Sequence, residues 1–273
     1  MRCFFLFIIV SIFISCSNGD KGTGDIKIMD QDVKSDLQTI ENVKIFFGHQ
    51  SVGFNLMDGV ADLMKETGNN KINIIELTAI NALPEYYFSH ERVGKNREPN
   101  TKCNAFAKVL NDEFADSLDI AFLKFCYVDM QADANPKAVF EYYKETIDKI
   151  KAAHPNLIIM HLTIPLTKVQ SGWKVPLKKV LGKEIDGYRD NIKRAEYNAL
   201  IKNYYKDDPI FDLSKVESTY PDGSRESFEM DGKTYYALVP EYTYDGGHLN
   251  ELGRQIAAKE MIHVLAEIMR NKE

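Results

Sequence analysis

The clearest pattern along the chain is an alternation of short apolar runs with longer amphipathic segments. Five runs have the length and the β-branched content of strands: 43–47, 72–77, 118–125, 157–162 and 210–213. Segments with helical periodicity follow them, and the predicted helices span 54–66, 102–114, 137–153, 191–205 and 251–269. Strands that alternate with helices predict a three-layer α/β/α sandwich with a mostly parallel sheet of about five strands.

Three segments interrupt this alternation. Residues 81–100 and 165–190 are long for connections between a strand and a helix, which usually have about 2 to 6 residues. Both follow strands at the carboxyl edge of the sheet, where α/β folds bind ligands. Residues 226–239 have strand-like runs around Asp231-Gly232, a pair that favours a hairpin turn, and they predict a small flap beside the site.

The first sixteen residues differ in composition from the rest of the chain. Arg2 precedes an apolar run over 3–14, and Ser15-Cys16 then lead into a polar stretch. This pattern is typical of a secretory signal, and the run is too short for a membrane span, which needs about 20 residues. Residues 13–16 resemble the lipobox of bacterial lipoproteins, so residues 1–16 predict a lipoprotein signal peptide with Cys16 as the lipidated residue. A plain cleaved signal with an incidental Cys is the alternative.

The rest of the chain predicts a tether and one domain. Residues 17–40 are polar and lack periodicity, which is typical of a flexible tether, and 41–273 can form one sizeable core. The net charge of -6 is spread along the chain without a basic block, so a nucleic-acid partner is not expected. Cys103 and Cys126 remain in the domain, and the sequence leaves open whether they pair.

The strongest motif runs from Asp245 to Asn250, just before the last predicted helix. An Asp three residues before a His, in a turn softened by glycines, can hold one ring N–H of the imidazole. The other ring nitrogen of His248 then remains as a base. Asn250 and Asp245 are also ordinary residues for a turn that leads into a helix, so a purely structural role is the alternative.

Ser51 is the candidate nucleophile. It follows the first predicted strand and opens the first predicted helix. At that position the unpaired amides and the positive dipole end of the helix can stabilise a developing oxyanion. Ser is also a favoured N-cap residue, so capping the helix is the structural alternative. The combination of this Ser with Asp-x-x-His before the final helix favours the nucleophile.

With these two blocks, residues 43–270 resemble the SGNH or GDSL-type hydrolases. In that family a Ser follows strand one in a Gly-Asp-Ser block, and Asp-x-x-His precedes the C-terminal helix, often with a Leu, an Asn and a Gly after it. The resemblance implies a flavodoxin-like fold and a serine esterase in which Ser51 is the nucleophile, His248 the base and Asp245 the residue that orients His248. The first block departs from the family, because residues 48–51 read Gly-His-Gln-Ser.

The blocks that supply the family's oxyanion donors depart further. Counted from Asp119, the Gly of the third block falls on Cys126 and the oxyanion Asn falls on Val128, which cannot donate a side-chain hydrogen bond. A missing donor of this type costs about 100- to 1,000-fold in rate if nothing replaces it. The resemblance implies Gly94 as the backbone donor of the second block, and Asn96 could add a side-chain donor. Both are also ordinary turn residues.

Further polar residues are predicted near the pocket. His49 and His161 lie at predicted strand ends and Gln50 adjoins the candidate nucleophile, although a structural His is the alternative for both histidines. No cofactor is expected. No metal is expected either, because the chain lacks compact Cys and His spacing, although a metal-dependent hydrolase using His49 and His161 is a third hypothesis.

The sequence therefore predicts an exported, lipid-anchored serine esterase of the cell envelope, on its periplasmic or cell-surface side. Small acyl esters such as acetyl esters, including those on glycans, are the substrates that the resemblance implies. Val128 and the altered first block motivate an alternative, a non-catalytic carbohydrate-binding or scaffold lipoprotein that keeps the fold. The expected partners are the ester substrate and, through the anchor, a membrane.

Overall fold

The computed structural model describes residues 30–77, 83–110 and 112–272. Within these ranges the α-helices are α1 (Asp30–Thr39), α2 (Val52–Thr67), α3 (Pro99–Val109), α4 (Asp112–Ser117), α5 (Pro136–Ala153), α6 (Lys174–Val180), α7 (Tyr188–Tyr204), α8 (Leu213–Glu217) and α9 (Glu251–Arg270). The strands are β1 (Lys44–His49), β2 (Ile74–Glu76), β3 (Tyr87–Arg92), β4 (Ile120–Leu123), β5 (Ile158–Ile159), β6 (His161–Leu162), β7 (Ile210–Phe211), β8 (Ser227–Met230) and β9 (Lys233–Tyr236). No helix in the described part of the chain is long and apolar enough to cross a membrane.

The central sheet has five strands in the order β2-β3-β1-β4-β5, and all of its pairs are parallel. Parallel neighbours need crossover connections. α2 lies between β1 and β2, α3 and α4 lie between β3 and β4, and α5 lies between β4 and β5. The predicted α/β class with a parallel, five-stranded sheet is confirmed.

Both faces of this sheet are covered by helices. Along β1, Ile45 and Phe47 pack with α1, α2 and α9, whereas Phe46 packs on the opposite side with α3, α5 and α7. On β4, Phe122 belongs to the first face and Ala121 to the second. Successive side chains of a strand point to opposite faces, so continuous apolar runs are buried on both sides and produce three layers.

The predicted strand over 157–162 divides at Met160. The Met160 N–H donates to the carbonyl of Ala121 on β4, whereas the next N–H, of His161, donates to the carbonyl of Pro209 before β7. The chain thus changes partner strands within one residue, and β6 pairs with β7 in a separate parallel ladder.

The N-terminal part of the domain begins earlier than predicted. Residues 30–39 form α1 instead of the last part of a tether over 17–40, because they carry a buried apolar stripe, Val33, Leu37 and Ile40. Asp36 on the same helix accepts hydrogen bonds from His263 Nδ1 (2.9 Å) and Arg270 (2.6 Å) of α9. The predicted signal peptide over 1–16, with Cys16, and the tether residues 17–29 lie outside the described residues.

The segment 81–100 is not one long loop. It contains β3, which pairs with both β1 and β2. The strand was missed because two of its residues are polar and buried. The Ser89 hydroxyl donates to the carbonyl of Ile45 (2.8 Å), and His90 contacts His49 across the sheet (3.1 Å between Nδ1 and Nε2). Their partners on β1 satisfy these polar atoms, so burial does not require an apolar sequence.

The other two interruptions also contain regular structure. Within 165–190 the chain forms α6, and the predicted hairpin over 226–239 is confirmed as β8 and β9. Its turn residues Asp231 and Gly232 both have positive φ, 51° and 71°, as a two-residue hairpin loop requires. Phe228 of the hairpin packs on Tyr188 and Ile185, so these two insertions form a common cluster.

Candidate active site

Ser51 lies in the tight connection between β1 and α2. Its backbone has φ 52° and ψ -110°, a region that strongly favours glycine, and its side chain does not cap the helix. The Ser51 hydroxyl is instead hydrogen-bonded to Nε2 of His248. Capping α2 is therefore not the role of this side chain, and the strained backbone directs the hydroxyl towards the imidazole.

Asp245 and His248 belong to one turn before α9. One carboxylate oxygen of Asp245 accepts the backbone N–H groups of Gly247 (2.9 Å) and His248 (2.8 Å). The other oxygen lies 2.6 Å from Nδ1 of the His248 ring. Asn250 caps α9 through the Gly253 N–H (3.0 Å), so capping and orientation of the imidazole are divided between two residues of the motif.

The three side chains form a continuous hydrogen-bonded chain from hydroxyl to imidazole to carboxylate. Burial raises the pKa of Asp245, but hydrogen bonds from the His248 ring and from the N–H groups of His248 and Gly247 outweigh it, so the pKa lies below its ordinary value. An ionised Asp245 fixes the proton on Nδ1 and leaves Nε2 to accept one from Ser51. The structure thus brings together the three residues that the sequence proposed as nucleophile, base and orienting acid.

Two tyrosines that the sequence analysis did not consider enclose the His248 ring. Tyr127 meets it edge to face with ring centres 5.6 Å apart, and its hydroxyl lies 3.5 Å from Nδ1. Tyr244 stacks on it at 6.1 Å and is 69% exposed. A Cβ on Gly247 would lie only 2.7 Å from the Tyr127 ring, which explains this glycine. The adjacency of Tyr244 to Asp245 was the only sequence signal for either tyrosine.

The loop after β3 is held next to Ser51 by Gln50. The Gln50 side-chain amide donates to the carbonyls of Val93 (3.1 Å) and Gly94. Gly94 has φ 61°, and a Cβ there would lie 2.4 Å from the Lys102 nitrogen. Within the described ranges, the backbone N–H groups of Ser51 and Gly94 donate to no protein acceptor, so both remain available to a ligand. Gln50 therefore positions this loop beside Ser51.

A buried charge cluster supports the same loop from below. Asp129 accepts the backbone N–H groups of Arg97 (2.8 Å) and Cys126 (2.6 Å) and pairs with Lys102, whose side chain is fully buried. The Lys102 ammonium also donates to the side-chain oxygen of Asn96 (2.9 Å). The side-chain oxygen of Asn96 therefore accepts a hydrogen bond from this cluster.

Val128 takes no part in the hydroxyl–imidazole–carboxylate chain. Its side chain lines a cavity of about 480 Å³ together with Pro99 and Asn135, and neither Ser51 nor His248 borders that cavity. The position that matches the family's oxyanion Asn thus faces the space between α3 and α5.

Further buried charges lie behind the site. The Lys124 ammonium is completely buried and donates to the Phe125 carbonyl (3.3 Å) and to Cys126 Sγ (3.4 Å). Burial, which outweighs the neighbouring charges, lowers the pKa of Lys124. Burial likewise raises the pKa of Glu217 to about 8, even though this side chain accepts the Leu166 N–H (2.8 Å).

Three buried polar side chains of α7 hold residues 164–167, which follow β6 and precede the Lys168 contact with Gly246. Asn198 bonds both backbone groups of Ile164, and Asn191 bonds both backbone groups of Thr167. Arg194, between them on the helix, donates to the Thr167 hydroxyl (2.6 Å) and to the Tyr127 carbonyl (3.1 Å). The spacing of three and four residues between buried polar side chains was the available sequence signal.

The two histidines predicted to line the pocket do not do so. His49 is fully buried against Gly53 and Phe54, so it cannot contact a substrate. Burial, followed by the charges of His90, Lys124 and Arg92, lowers its pKa well below the ordinary value.

His161 is the first of the two residues of β6, and its side chain is fully buried. Its ring stacks on Tyr205 (3.6 Å between ring centres) and is hydrogen-bonded to the Tyr143 hydroxyl (2.9 Å). Burial lowers the pKa of His161 to about 4. The interpretation of His161 as a pocket residue was wrong because its side chain is fully buried between Tyr143 and Tyr205.

The described residues contain no group of three or more His, Cys, Asp or Glu arranged to hold a metal ion. His49 and His161 belong to separate clusters, one with His90 and the other with Tyr205. Cys103 and Cys126 are both buried free thiols.

Comparisons with known proteins bear on the fold. No protein-family model and no curated protein matches this sequence. A structure described as a peptidoglycan O-acetylesterase in action matches 89% of this chain and 96% of its own, at 9% identity and a TM-score of 0.51. A carbohydrate esterase family 3 protein from Talaromyces cellulolyticus (13% identity, 84% and 99% coverage, TM-score 0.46) and a candidate SGNH hydrolase from Slackia heliotrinireducens (12%, 81% and 97%, 0.45) also match. The likeness to the first of these structures bears on the fold alone: the described domain shares its α/β/α fold, in a divergent sequence.

Proposed function

We propose that this protein is a serine esterase of the SGNH type that hydrolyses small acyl esters. The observation that carries the proposal is the hydrogen-bonded chain from Ser51 through His248 to Asp245. A serine held in a strained backbone with its hydroxyl on an imidazole, whose second nitrogen faces a carboxylate, is the arrangement that activates a hydroxyl for acyl transfer.

In the first half of the reaction, Ser51 Oγ attacks the ester carbonyl carbon while His248 Nε2 accepts the hydroxyl proton. The carbonyl oxygen becomes an oxyanion, and the unpartnered N–H groups of Ser51 and Gly94 are its proposed donors. His248 then returns the proton to the leaving alcohol as the tetrahedral intermediate collapses, and the acyl group stays on Ser51.

In the second half, water takes the place of the alcohol. His248 accepts a proton from this water, whose oxygen attacks the acyl carbon, and the Ser51–acyl bond breaks with return of the proton to Ser51 Oγ. Asp245 stays ionised throughout, which its lowered pKa favours, and keeps Nδ1 of His248 as the protonated nitrogen. Two backbone donors would then replace the side-chain donor that Val128 cannot supply.

For the acyl group we propose acetyl, on a glycan. The exposed ring of Tyr244 beside His248 offers a flat apolar surface at the site, of a kind that packs against sugar rings. The structural neighbour described as a peptidoglycan O-acetylesterase makes an acetylated glycan a sensible first substrate to assay.

The test compares residues 17–273, which include every described residue, with its Ser51→Ala variant on p-nitrophenyl acetate and on acetylated polysaccharide. We expect turnover that falls by at least about 1,000-fold in the variant. Ser171→Ala, which alters an exposed serine, is the matched control and should keep wild-type activity. Equal turnover by wild type and Ser51→Ala would refute Ser51 as the nucleophile.

A second function is favoured by one observation: Val128 borders a cavity that neither Ser51 nor His248 lines, and it offers no side-chain donor. A domain without an efficient oxyanion site would act as a carbohydrate-binding or scaffold protein with the same fold. Glycan retained by the wild type and by Ser51→Ala, without release of acetate by either, would support this function over the esterase.

We further propose that the chain is exported and anchored through a lipidated Cys16. Arg2, the apolar run over 3–14 and the position of Cys16 at its end support this proposal. When cells that express residues 1–273 are grown with a radiolabelled fatty acid, the wild-type protein should become labelled and the Cys16→Ser variant should not. Label on both forms would contradict the anchor.

A further inference from the structure

Large apolar side chains are exposed together in one short stretch of the second insertion. Trp173 is 77% exposed, Leu177 52%, Val180 85% and Leu181 57%. All four belong to α6 or to its immediate flanks. Scattered exposed apolar residues need no explanation, but a contiguous patch on a folded domain marks a surface that binds something.

The same stretch is strongly basic. Residues 171–183 contain four lysines, at 174, 178, 179 and 183, and no acidic residue, in a chain whose net charge is -6. The Lys174 ammonium lies 5.7 Å from the centre of the Trp173 ring. Lys178 donates to Gln170 (2.5 Å), and Asp186 lies 3.5 Å from it. The Lys174 ammonium thus lies beside an exposed apolar ring.

The base of this stretch is packed, so its apolar residues are not exposed for lack of a core. Val169, Ile185 and Tyr188 are buried in one cluster with Phe228 of the β8–β9 hairpin, and Val175 of α6 packs against that cluster. The opposite face of α6 therefore has buried contacts while Leu177 and Val180 point to solvent.

We propose that residues 173–183, here called the α6 patch, dock the protein onto an anionic lipid bilayer. A Trp with neighbouring Leu and Val side chains suits the boundary between head groups and acyl chains, and Lys side chains extend to lipid phosphates. Charge complementarity favours this partner over a second copy of the chain, because two copies would oppose their lysines.

The α6 patch also has a fixed relation to the catalytic turn. The Lys168 N–H, near the start of the insertion that carries the patch, donates to the Gly246 carbonyl (2.8 Å). Membrane docking through α6 would therefore set the position of the Ser51 site relative to the bilayer. The inference needs neither esterase activity nor lipidation of Cys16.

Trp173 makes the test direct, since it is the only Trp of the chain. Residues 17–273, which lack the apolar run over 3–14, would be mixed with vesicles of phosphatidylcholine containing phosphatidylglycerol. We expect a blue shift of tryptophan emission, quenching by brominated acyl chains and co-sedimentation that weakens at high salt. With vesicles of phosphatidylcholine alone, binding should be at least about tenfold weaker.

Matched variants separate the two components of the patch. Leu177→Ser combined with Val180→Ser should lower the partition coefficient about tenfold, because each loses apolar contact with the acyl region. Lys174→Ser combined with Lys183→Ser should abolish the preference for anionic vesicles. Leu252→Ser, at an exposed leucine on α9, is the control and should bind as wild type does.

Three results would overturn the proposal. The first is unchanged Trp173 emission with both kinds of vesicle, and the second is equal binding to neutral and anionic vesicles. The third is a concentration-dependent dimer in sedimentation velocity that Leu177→Ser with Val180→Ser abolishes, which would assign the patch to a second copy. Unfolding curves that match wild type would establish that the variants are folded.

Discussion

At the scale of single residues, Ser51 has a strained backbone conformation. Its φ of 52° and ψ of -110° match the first central position of a type II′ turn, which glycine prefers. A non-glycine residue held in such a region costs about 1 to 3 kcal/mol. The hydroxyl must therefore be retained for its contact with His248, at the expense of stability.

This strain predicts opposite effects on stability and on activity. Ser51→Gly should abolish turnover yet raise the free energy of unfolding by about 1 kcal/mol relative to Ser51→Ala, because only glycine relieves the backbone. Urea unfolding of the two variants measures the difference. If Ser51→Ala were as stable as Ser51→Gly, the strain attributed to this position would be absent.

Gly247 provides a second prediction at this scale. An alanine there would place its Cβ 2.7 Å from the Tyr127 ring and displace the ring that packs on His248. We expect Gly247→Ala to lower kcat at least about tenfold, since small displacements of a catalytic base are costly. The cost should shrink in a Tyr127→Ala background, which removes the obstructing ring. Equal costs in the two backgrounds would show that the effect does not pass through Tyr127.

At the scale of elements, Asp129 joins three parts of the chain through one carboxylate. It binds the loop after β3 through the Arg97 N–H, the turn after β4 through the Cys126 N–H and α3 through Lys102. The loop after β3, which also carries Gly94, is thus linked to the turn after β4 and to α3.

Asp129→Asn should therefore disturb stability and catalysis together. The substitution leaves the fully buried Lys102 charge without its partner, and we expect a loss of about 3 kcal/mol in the free energy of unfolding. The combination Asp129→Asn with Lys102→Met should recover part of that loss. Chemical unfolding and p-nitrophenyl acetate turnover measure both effects, and an unchanged stability of the single variant would contradict the buried ion pair.

The elements that the sequence predicted well are those with one long apolar face. The predicted helix over 137–153 differs from α5 by one residue at its start, and that over 251–269 differs from α9 by one residue at its end. β3 was missed because Ser89 and His90 are buried with partners that only the neighbouring strand supplies. Periodicity cannot reveal a polar side chain that is satisfied by a distant part of the chain.

In the candidate site too, the residues whose contacts are local were predictable and those whose contacts are distant were not. Asp245 and His248 were predictable because their contact forms within one turn, and Ser51 because it opens a helix after a strand. Whether the side chains of His49 and His161 point into the pocket depends on which helices pack against their strands, and the sequence does not show this. Tyr127 reaches His248 across 121 residues of sequence, so no local pattern indicated it.

At the scale of the whole molecule, two buried groups make the free energy of unfolding depend on pH, one on the alkaline side and one on the acidic side. Folding raises the pKa of Glu217 from 4.5 to about 8, so the folded state binds the extra proton in this window and loses stability as the pH rises. Folding lowers the pKa of His161 from 6.5 to about 4, so the unfolded state binds the extra proton and stability falls as the pH drops through that range.

Stability should therefore be greatest near pH 5 to 6.5 and fall on either side. Glu217→Gln should flatten the alkaline side, by about 2 kcal/mol between pH 5.5 and 8, and His161→Gln should flatten the acidic side. Urea unfolding across this range measures the profile. A decline above pH 6.5 that persists unchanged in Glu217→Gln would assign it to another group.

The packing of α1 against α9 limits how far the described fold can lie from a lipid on Cys16. Asp36 links α1 to α9 through His263 and Arg270, and α1, from residue 30, is the first element of the described fold. If Cys16 carries the lipid, thirteen residues, 17–29, join it to the body, and even fully extended they reach only about 45 Å. An anchored domain would then stay within about this distance of its own bilayer, and a ligand farther away would have to diffuse to it.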